Sequence, residues 1–375
     1  MTGPTGNPST ADAPPTSPVS TTAADHTGPK ACCAPSTKRF AKTTAIARQS
    51  GCSAHVPPLI DVPLAEPVFH AARGSTEGMV RIGGGVFLMG TDSPERWEAD
   101  GEGPVREVKV DAFYMDACAV TNAQFEKFVD DTGYVTDAEK FGWSFVFRYH
   151  LPPKYADQLA RTQAVQGLTW WLAVPGAYWR RPQGERSDLR GKMDHPVVHV
   201  SWNDAIRYCQ WAGKRLPAEA EWELAARGKL EQKIYPWGDV LQPRGKHRCN
   251  IWQGRFPEED TGADGYRGTC PVDAFASNGL GLHNVAGNVW EWCNEWFSAE
   301  WHVPEKAETR VNPRGLCEPA IQAAADLGLT HKLQKGGSHL CHYSYCNRYR
   351  VAARTGNTPD STTTNAGFRC VRDVV

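Results

Sequence analysis

Two cysteines, Cys341 and Cys346, stand five positions apart in the run Gly336-Gly337-Ser338-His339-Leu340-Cys341-His342-Tyr343-Ser344-Tyr345-Cys346-Asn347-Arg348-Tyr349-Arg350. A pair of thiols can close a disulfide, ligate a metal, or sit inert in a core. On a helix, positions i and i+5 lie roughly 140° apart. On a strand they point to opposite faces. If the two act together, the backbone between them must bend, and Gly336-Gly337 and the small Ser344 suit a bent, closely approached segment. The chain has twelve cysteines in 375 residues. At this length they need not form a disulfide framework, so a ligand role stays open beside the other two.

Other residues invite chemical readings. His195 and His199 have the i, i+4 spacing of helical metal ligands, but Pro196 and the two valines between them favour a strand. There they would lie about 13 Å apart, at about 3.3 Å per residue, so structural histidines are expected. Asn250-Ile251-Trp252-Gln253-Gly254 opens a loop-rich block that runs through Asp264-Gly265-Tyr266 to Asn284-Val285-Ala286-Gly287-Asn288-Val289-Trp290-Glu291-Trp292. Carboxylates, amides and carbonyls in glycine-rich turns suit a hard cation such as calcium, although the spacing is not that of an EF-hand.

The elements that must place these groups follow from pattern. Val80-Arg81-Ile82 and Val86-Phe87-Leu88-Met89 flank Gly83-Gly84-Gly85 and read as a hairpin. No Gly-Lys-Ser/Thr follows the glycines, so they are not a phosphate loop. Residues 105–110 and Ala112-Phe113-Tyr114-Met115 read as a second strand pair. Thr121 and Gln124 form a capping box for a helix carrying Phe125, Phe128 and Val129 and stopping at Gly133. Ser201 and Asp204 cap a helix with Ile206, Cys209 and Trp211 that stops at Gly213. Pro217 reads as the first residue of another helix ending at Gly228, with Glu219 and Glu221 suiting its dipole. From Gly142 to Gly184 Trp and Phe recur among Pro and Gly, either lining a binding surface or forming a satellite core. Gly367-Phe368-Arg369-Cys370-Val371 reads as a last strand.

Composition bounds the function. Hydrophobic content of 41% and charged content of 22% are those of a globular protein, and a net charge of −1 offers no field for nucleic acid or an anionic membrane. No apolar run approaches the roughly 18 residues of a membrane span, and no secretory segment opens the chain. A cytoplasmic setting is therefore expected. Residues 1–72, rich in Pro, Thr, Ser and Ala, read as a disordered tail in which Cys32, Cys33 and Cys52 are surface thiols. Residues 73–375 read as one domain.

From about Gly74 onward the chain closely resembles the formylglycine-generating enzymes, the sulfatase-modifying family. The matching stretches are Gly84 to Thr91, His195 to Trp202, Arg215 to Glu223, Asn284 to Trp292, and Lys335-Gly336-Gly337-Ser338 through Cys341, Cys346, Asn357 to Ser361 and Asn365 to Cys370. The middle stretches also occur in non-catalytic relatives, whereas Ser-x-x-Cys-x4-Cys is specific to the true oxidases. The resemblance implies an α+β, loop-rich, C-type-lectin-like fold. It implies a monomeric oxidase that uses O2 and copper(I) to convert a cysteine of a sulfatase polypeptide, in a Cys-x-Pro-x-Arg context, to Cα-formylglycine. Cys341 and Cys346 fall on the copper ligands, Ser338 on the active-site serine, and Arg354 and Asn365 on polar residues near it. Copper(I) is soft and suits two thiolates, leaving room for the substrate thiolate. His339 and His342 are not ligand positions in the family.

The same resemblance implies two calcium sites, one from Asn250, Ile251, Asp264 and Tyr266, the other from Asn284, Gly287, Val289 and Glu291. Ile251, Tyr266, Gly287 and Val289 can serve only through carbonyls. It also implies a disulfide candidate, Cys209 with Cys370. A second bridge of secreted relatives is absent, with Ala225 and Val351 at its positions. Cys118, Cys249, Cys270, Cys293 and Cys317 have no assigned role. Two other classes are a non-catalytic peptide-binding relative, which would lack the paired cysteines, and an iron-dependent sulfoxide synthase, which would need an added helical domain.

Overall fold

The computed structural model describes residues 64–66, 68, 70–315 and 328–375. The expected tail lies mostly outside this range, as do Cys32, Cys33, Cys52 and Cys317. The packed domain nonetheless begins before residue 73. Ala65 is buried, its N–H donates to Asn203 Oδ1 at 2.9 Å, and Leu64 and Val68 pack beside it on the main core.

Strands β1 (Met79–Ile82) and β2 (Gly85–Met89) are followed by β3 (Arg106–Val110) and β4 (Phe113–Asp116). The expected hairpin does not form. β1 pairs antiparallel with β4, and β2 pairs antiparallel with β3. The glycines between β1 and β2 are a crossing point: a Cβ on Gly84 would lie 2.6 Å from the Val110 carbonyl oxygen. The expected pairing of 105–110 with 112–115 fails for the same reason, since each strand already has a partner in the other pair. The final strand, β14 (Val371–Asp373), joins the free side of β4, so both ends of the domain share one sheet.

Helices α1 (Asn122–Thr132) and α4 (Trp202–Ala212) carry the expected capping boxes at Thr121 and Ser201 and end at left-handed Gly133 and Gly213. They pack around a core of Phe125, Phe128, Ile206, Tyr208, Trp292 and Phe368. Helix α5 (Glu219–Arg227) starts two residues later than expected, and Pro217 precedes its cap residue Ala218. Between α1 and α4 come α2 (Asp137–Phe141), β5 (Trp143–Phe147), α3 (Pro153–Gln163), β6 (Ala164–Val165) and β7 (Leu168–Pro175). The tryptophan-rich stretch makes the antiparallel sheet β5-β7-β6, and its rings form a satellite core of Trp143, Phe145, Phe147 and Trp171. Trp170 packs against this core and also stands edge-on to Tyr345 of the cysteine run at 5.3 Å, while Trp179 belongs to the main core.

A short ribbon of β8 (Gly254–Arg255) and β9 (Glu259–Asp260) precedes β10 (Trp290–Trp296). The short helix α6 (Ala307–Arg310) separates β10 from β11 (Lys332–Lys335), β12 (Arg354–Asn357) and β13 (Ala366–Gly367). β10 is wholly buried and sits in the sheet β12-β11-β10-β13, pairing antiparallel with β11 and parallel with β13. The cysteine run is the connection from β11 to β12. No helix among the described residues is long and apolar enough to cross a membrane.

Candidate active site

β11 hands the chain to Gly336 and Gly337, at φ 93° and 73°. A Cβ on Gly337 would lie 2.8 Å from the Arg348 carbonyl oxygen and 2.9 Å from Tyr349 Cα. The strand end therefore lies directly against the segment that returns after Cys346, and only glycine permits it. Two tight turns lie between: Cys341 N–H donates to Ser338 O at 2.9 Å, and Cys346 N–H donates to His342 O at 2.9 Å. This is the bend that the thiol pair requires.

Both cysteines are 0% exposed. They share one apolar cluster with Cys249, Ile251, Ala286, Trp290, Tyr349 and Ala366. Ser338 N–H points at Cys341 Sγ from 3.4 Å, and Ser338 Oγ lies 3.9 Å from the same sulfur. Asn365 Nδ2 donates to Ser338 Oγ at 3.0 Å, and its own Oδ1 accepts from Thr363 Oγ1 at 2.8 Å. The indole N–H of Trp290 is buried in this cluster without a partner. The main chain at each cysteine is held from outside: Trp252 N–H donates to Cys341 O at 3.1 Å, and Trp97 Nε1 donates to Cys346 O at 2.9 Å.

Cys341, Cys346, Ser338 and Asn365 thus come together. Arg354 turns elsewhere: its guanidinium bonds Glu219 Oε2 at 2.8 Å and the carbonyls of Asp100, Gly101 and Ser298 at 3.2, 3.2 and 3.0 Å. His339 and His342 are also committed. His339 gives its main-chain N–H to the Asn288 carbonyl and sets Nδ1 2.8 Å from it, while its ring stacks on His150. Burial pulls the His339 imidazole down to about 4, so it is neutral at pH 7. His342 Nδ1 lies 2.7 Å from Ser344 Oγ. His195 and His199 are structural, bonded to Thr269 and Ser144.

Among the described residues no three His, Cys, Asp or Glu converge on a metal-sized space. A metal at the turn would therefore rest on the two sulfurs, and two buried thiols in an apolar cluster are a donor set for copper(I). The calcium residues also fit their cation in part. Asp264 accepts from Ile251 N–H at 3.0 Å and Tyr266 N–H at 3.1 Å, which gathers the first set. Burial raises the Asp264 carboxyl, and the Tyr266 and Ile251 N–H donors offset that only in part. In the second set Asn284 Oδ1 is buried without a partner, a ready ligand oxygen. The Glu291 carboxylate is not: both its oxygens bond Arg369 at 2.7 Å, and one also accepts from Trp222 Nε1 at 2.7 Å. Glu291 can offer a cation only its carbonyl. Gly287 from the second set bridges to Asn250 from the first, where a Cβ would lie 2.2 Å from the Asn250 carbonyl oxygen. Cys209 and Cys370 face each other with sulfurs 3.6 Å apart, as thiols rather than a bond of about 2.05 Å.

The profile of the sulfatase-modifying factor enzyme 1-like domain matches residues 65–374. The chain belongs to this family. A formylglycine-generating enzyme of Thermomonospora curvata is 56% identical over 313 residues, covering 84% of this chain and 97% of that protein. The Bos taurus formylglycine-generating enzyme is 54% identical over 295 residues, covering 79% of this chain and 74% of that protein. An inactive Cα-formylglycine-generating enzyme 2 of Bos taurus is 46% identical over 299 residues, covering 80% and 89%. Among solved structures, PvdO from Pseudomonas aeruginosa has a TM-score of 0.55 at 20% identity, over 79% of this chain and 94% of its own, a likeness of fold. Sulfatase-modifying relatives thus include an inactive protein, and the residues of the turn have to decide activity. Trp97, Thr363, Asn288 and the Trp252 amide escaped sequence reasoning as parts of the site. The resemblance marked positions on the cysteine run, and nothing local in residues 92–104 signals a partner some 250 positions away.

Proposed function

We propose that this chain oxidises a cysteine of a sulfatase polypeptide, in a Cys-x-Pro-x-Arg segment, to Cα-formylglycine, with O2 as oxidant and copper(I) held by Cys341 and Cys346. The observation that carries this reading is the turn itself: two buried cysteines brought into one apolar cluster, with an oriented serine beside Cys341. Bound copper(I) would supply the redox chemistry between O2 and the substrate thiol. The protein's own residues do the rest. The cluster of Ile251, Ala286, Trp290, Tyr349 and Ala366 keeps bulk water from the sulfurs. Asn365 and Thr363 fix the Ser338 hydroxyl beside Cys341, and the unpartnered Trp290 N–H offers a donor in the same apolar space. Calcium at the loops of Asn250 and Asn284 would brace the floor under the turn.

The test is copper(I) titration of the reduced protein beside oxidation of a sulfatase-derived peptide in air. With a thiol reductant present to supply the two electrons that O2 needs beyond the substrate's own two, wild type should bind one copper(I) and turn the peptide CH2–SH into an aldehyde, the sulfur leaving as sulfide. Cys341→Ala and Cys346→Ala should each lose both. A wild type that holds the peptide without copper and leaves its thiol intact would establish a non-catalytic binding relative instead.

A further inference from the structure

Residues 92–104 cross over the segment that follows Cys346 and are fastened to it at several points. Arg348 Nε bonds Asp100 Oδ2 at 2.6 Å, and Arg350 makes a two-pronged pair with Glu102 at 2.6 and 2.8 Å. Asp100 and Glu102 are almost fully buried. Arg354 holds the Asp100 and Gly101 carbonyls, and a Cβ on Gly101 would lie 2.2 Å from the Ala299 carbonyl oxygen, so the crossing is also wedged from the far side. At the outer end stands Trp97. Its indole N–H is shared between Cys346 O and Asn347 Oδ1, each at 2.9 Å. The Arg348 guanidinium lies over its ring at 4.4 Å. Asn347 has φ 34°, a left-handed conformation that needs support outside glycine. The indole bonds both the residue in that conformation and the carbonyl just before it.

We propose that Trp97 is a positioning residue for the thiol pair: its N–H fixes the main chain at Cys346 and thereby the direction in which that sulfur is presented. This rests on the copper-oxidase reading for its purpose, though not for its geometry. Trp97 touches neither sulfur nor substrate in this role. It acts through the Cys346 peptide, as the Trp252 amide does at Cys341. Side-chain direction at a buried thiol follows from backbone placement, and a two-ligand site tolerates little error in it.

Trp97→Phe keeps an aromatic ring beneath Arg348 while removing the N–H and trimming the indole to one ring, whereas Trp97→Ala removes ring and N–H alike. Native-state alkylation with iodoacetamide, read cysteine by cysteine by mass spectrometry, measures how firmly each buried thiol is held. In Trp97→Phe, Cys346 should react about three- to tenfold faster, the range expected for one hydrogen bond lost. Cys209 and Cys293, buried in other clusters, should react as in wild type. Copper(I) affinity by chelator competition should weaken by a similar factor, with the melting temperature lowered by no more than a few degrees. Equal acceleration at every buried cysteine would show that Trp97 merely stabilises the fold, and a wild-type rate at Cys346 would show that it holds nothing; either result overturns the proposal. If wild type binds no copper(I), the oxidase reading fails, and the alkylation arm still decides the role of Trp97.

Discussion

A hydroxyl has two lone pairs and one proton, and at Ser338 both lone pairs are engaged. Asn365 Nδ2 donates to Oγ at 3.0 Å and Leu340 N–H donates at 3.3 Å, so the proton is left to point away from both, toward Cys341 Sγ 3.9 Å off. Asn365→Ala frees one lone pair and lets the hydroxyl rotate. Peptide oxidation should fall about tenfold, roughly the worth of one buried hydrogen bond, with copper(I) affinity unchanged because neither sulfur is touched. Asn365→Asp should be worse, since a carboxylate accepts and would draw the Ser338 proton to itself. Wild-type turnover in both variants would remove Ser338 orientation from the mechanism. Four of the five residues nominated as catalytic do meet, but spacing singled out only the two cysteines, and the family resemblance supplied Ser338 and Asn365. The resemblance supplied Arg354 too, yet in the fold its guanidinium holds Glu219 and the 92–104 crossing.

Helix α5 shows what an element conceals when read alone. Its glutamates suit a helix N-terminus, and the sequence asks for nothing more. In the fold Glu219 faces Arg354 and Lys335, while Glu223 bonds Lys335, Arg227 and the Gly90 N–H. Burial alone would raise Glu223, but Lys335 and Arg227 outweigh it and hold its carboxyl at about 2. On β10, Glu295 has no such cation. Burial and the Glu219 carboxylate push it up to about 8, against the pull of backbone N–H donors, the Glu219 N–H at 2.7 Å among them. A carboxyl raised in the folded state binds its proton more tightly there than in the unfolded chain. Its contribution to stability is complete below the unfolded value near 4.3 and is lost as pH rises through about 8. Glu295→Gln keeps an acceptor for Glu219 and cannot ionise. Its melting temperature should match wild type at about pH 4 and exceed it by several degrees at pH 8.5, because the cost of ionising the buried carboxyl grows across the window between the two values. Parallel melting curves for the two proteins across that range would mean that Glu295 stays charged. Capped helices such as α1 and α4 were legible because their signals are local. The strand partners of β1 to β4 were not, because alternation marks a strand and says nothing of what it pairs with.

At the scale of the whole molecule, the active turn is hung on loops. The Asn288 carbonyl takes two contacts from His339, while the Asn288 side chain bonds Cys270 N–H and its main-chain N–H bonds Asn250 O. One residue at φ 59° therefore ties the loops of both calcium sets to the turn that carries Cys341. If those loops bind calcium, its removal should do more than lower the melting temperature. Saturation at a hundredfold over Kd stabilises by about 2.7 kcal/mol, so a chelator should lower the midpoint by about 5 °C or more. Below that transition it should also speed alkylation of Cys341, whose turn has lost its floor, while leaving Cys209, across the main core, as slow as before. Asp264→Ala should reproduce both effects without chelator and make the protein indifferent to added calcium. A melting temperature and a Cys341 rate that ignore chelator altogether would show that hydrogen bonds alone hold these loops, and that the buried Asp264 carboxyl and the unpartnered Asn284 oxygen are met by something other than a cation.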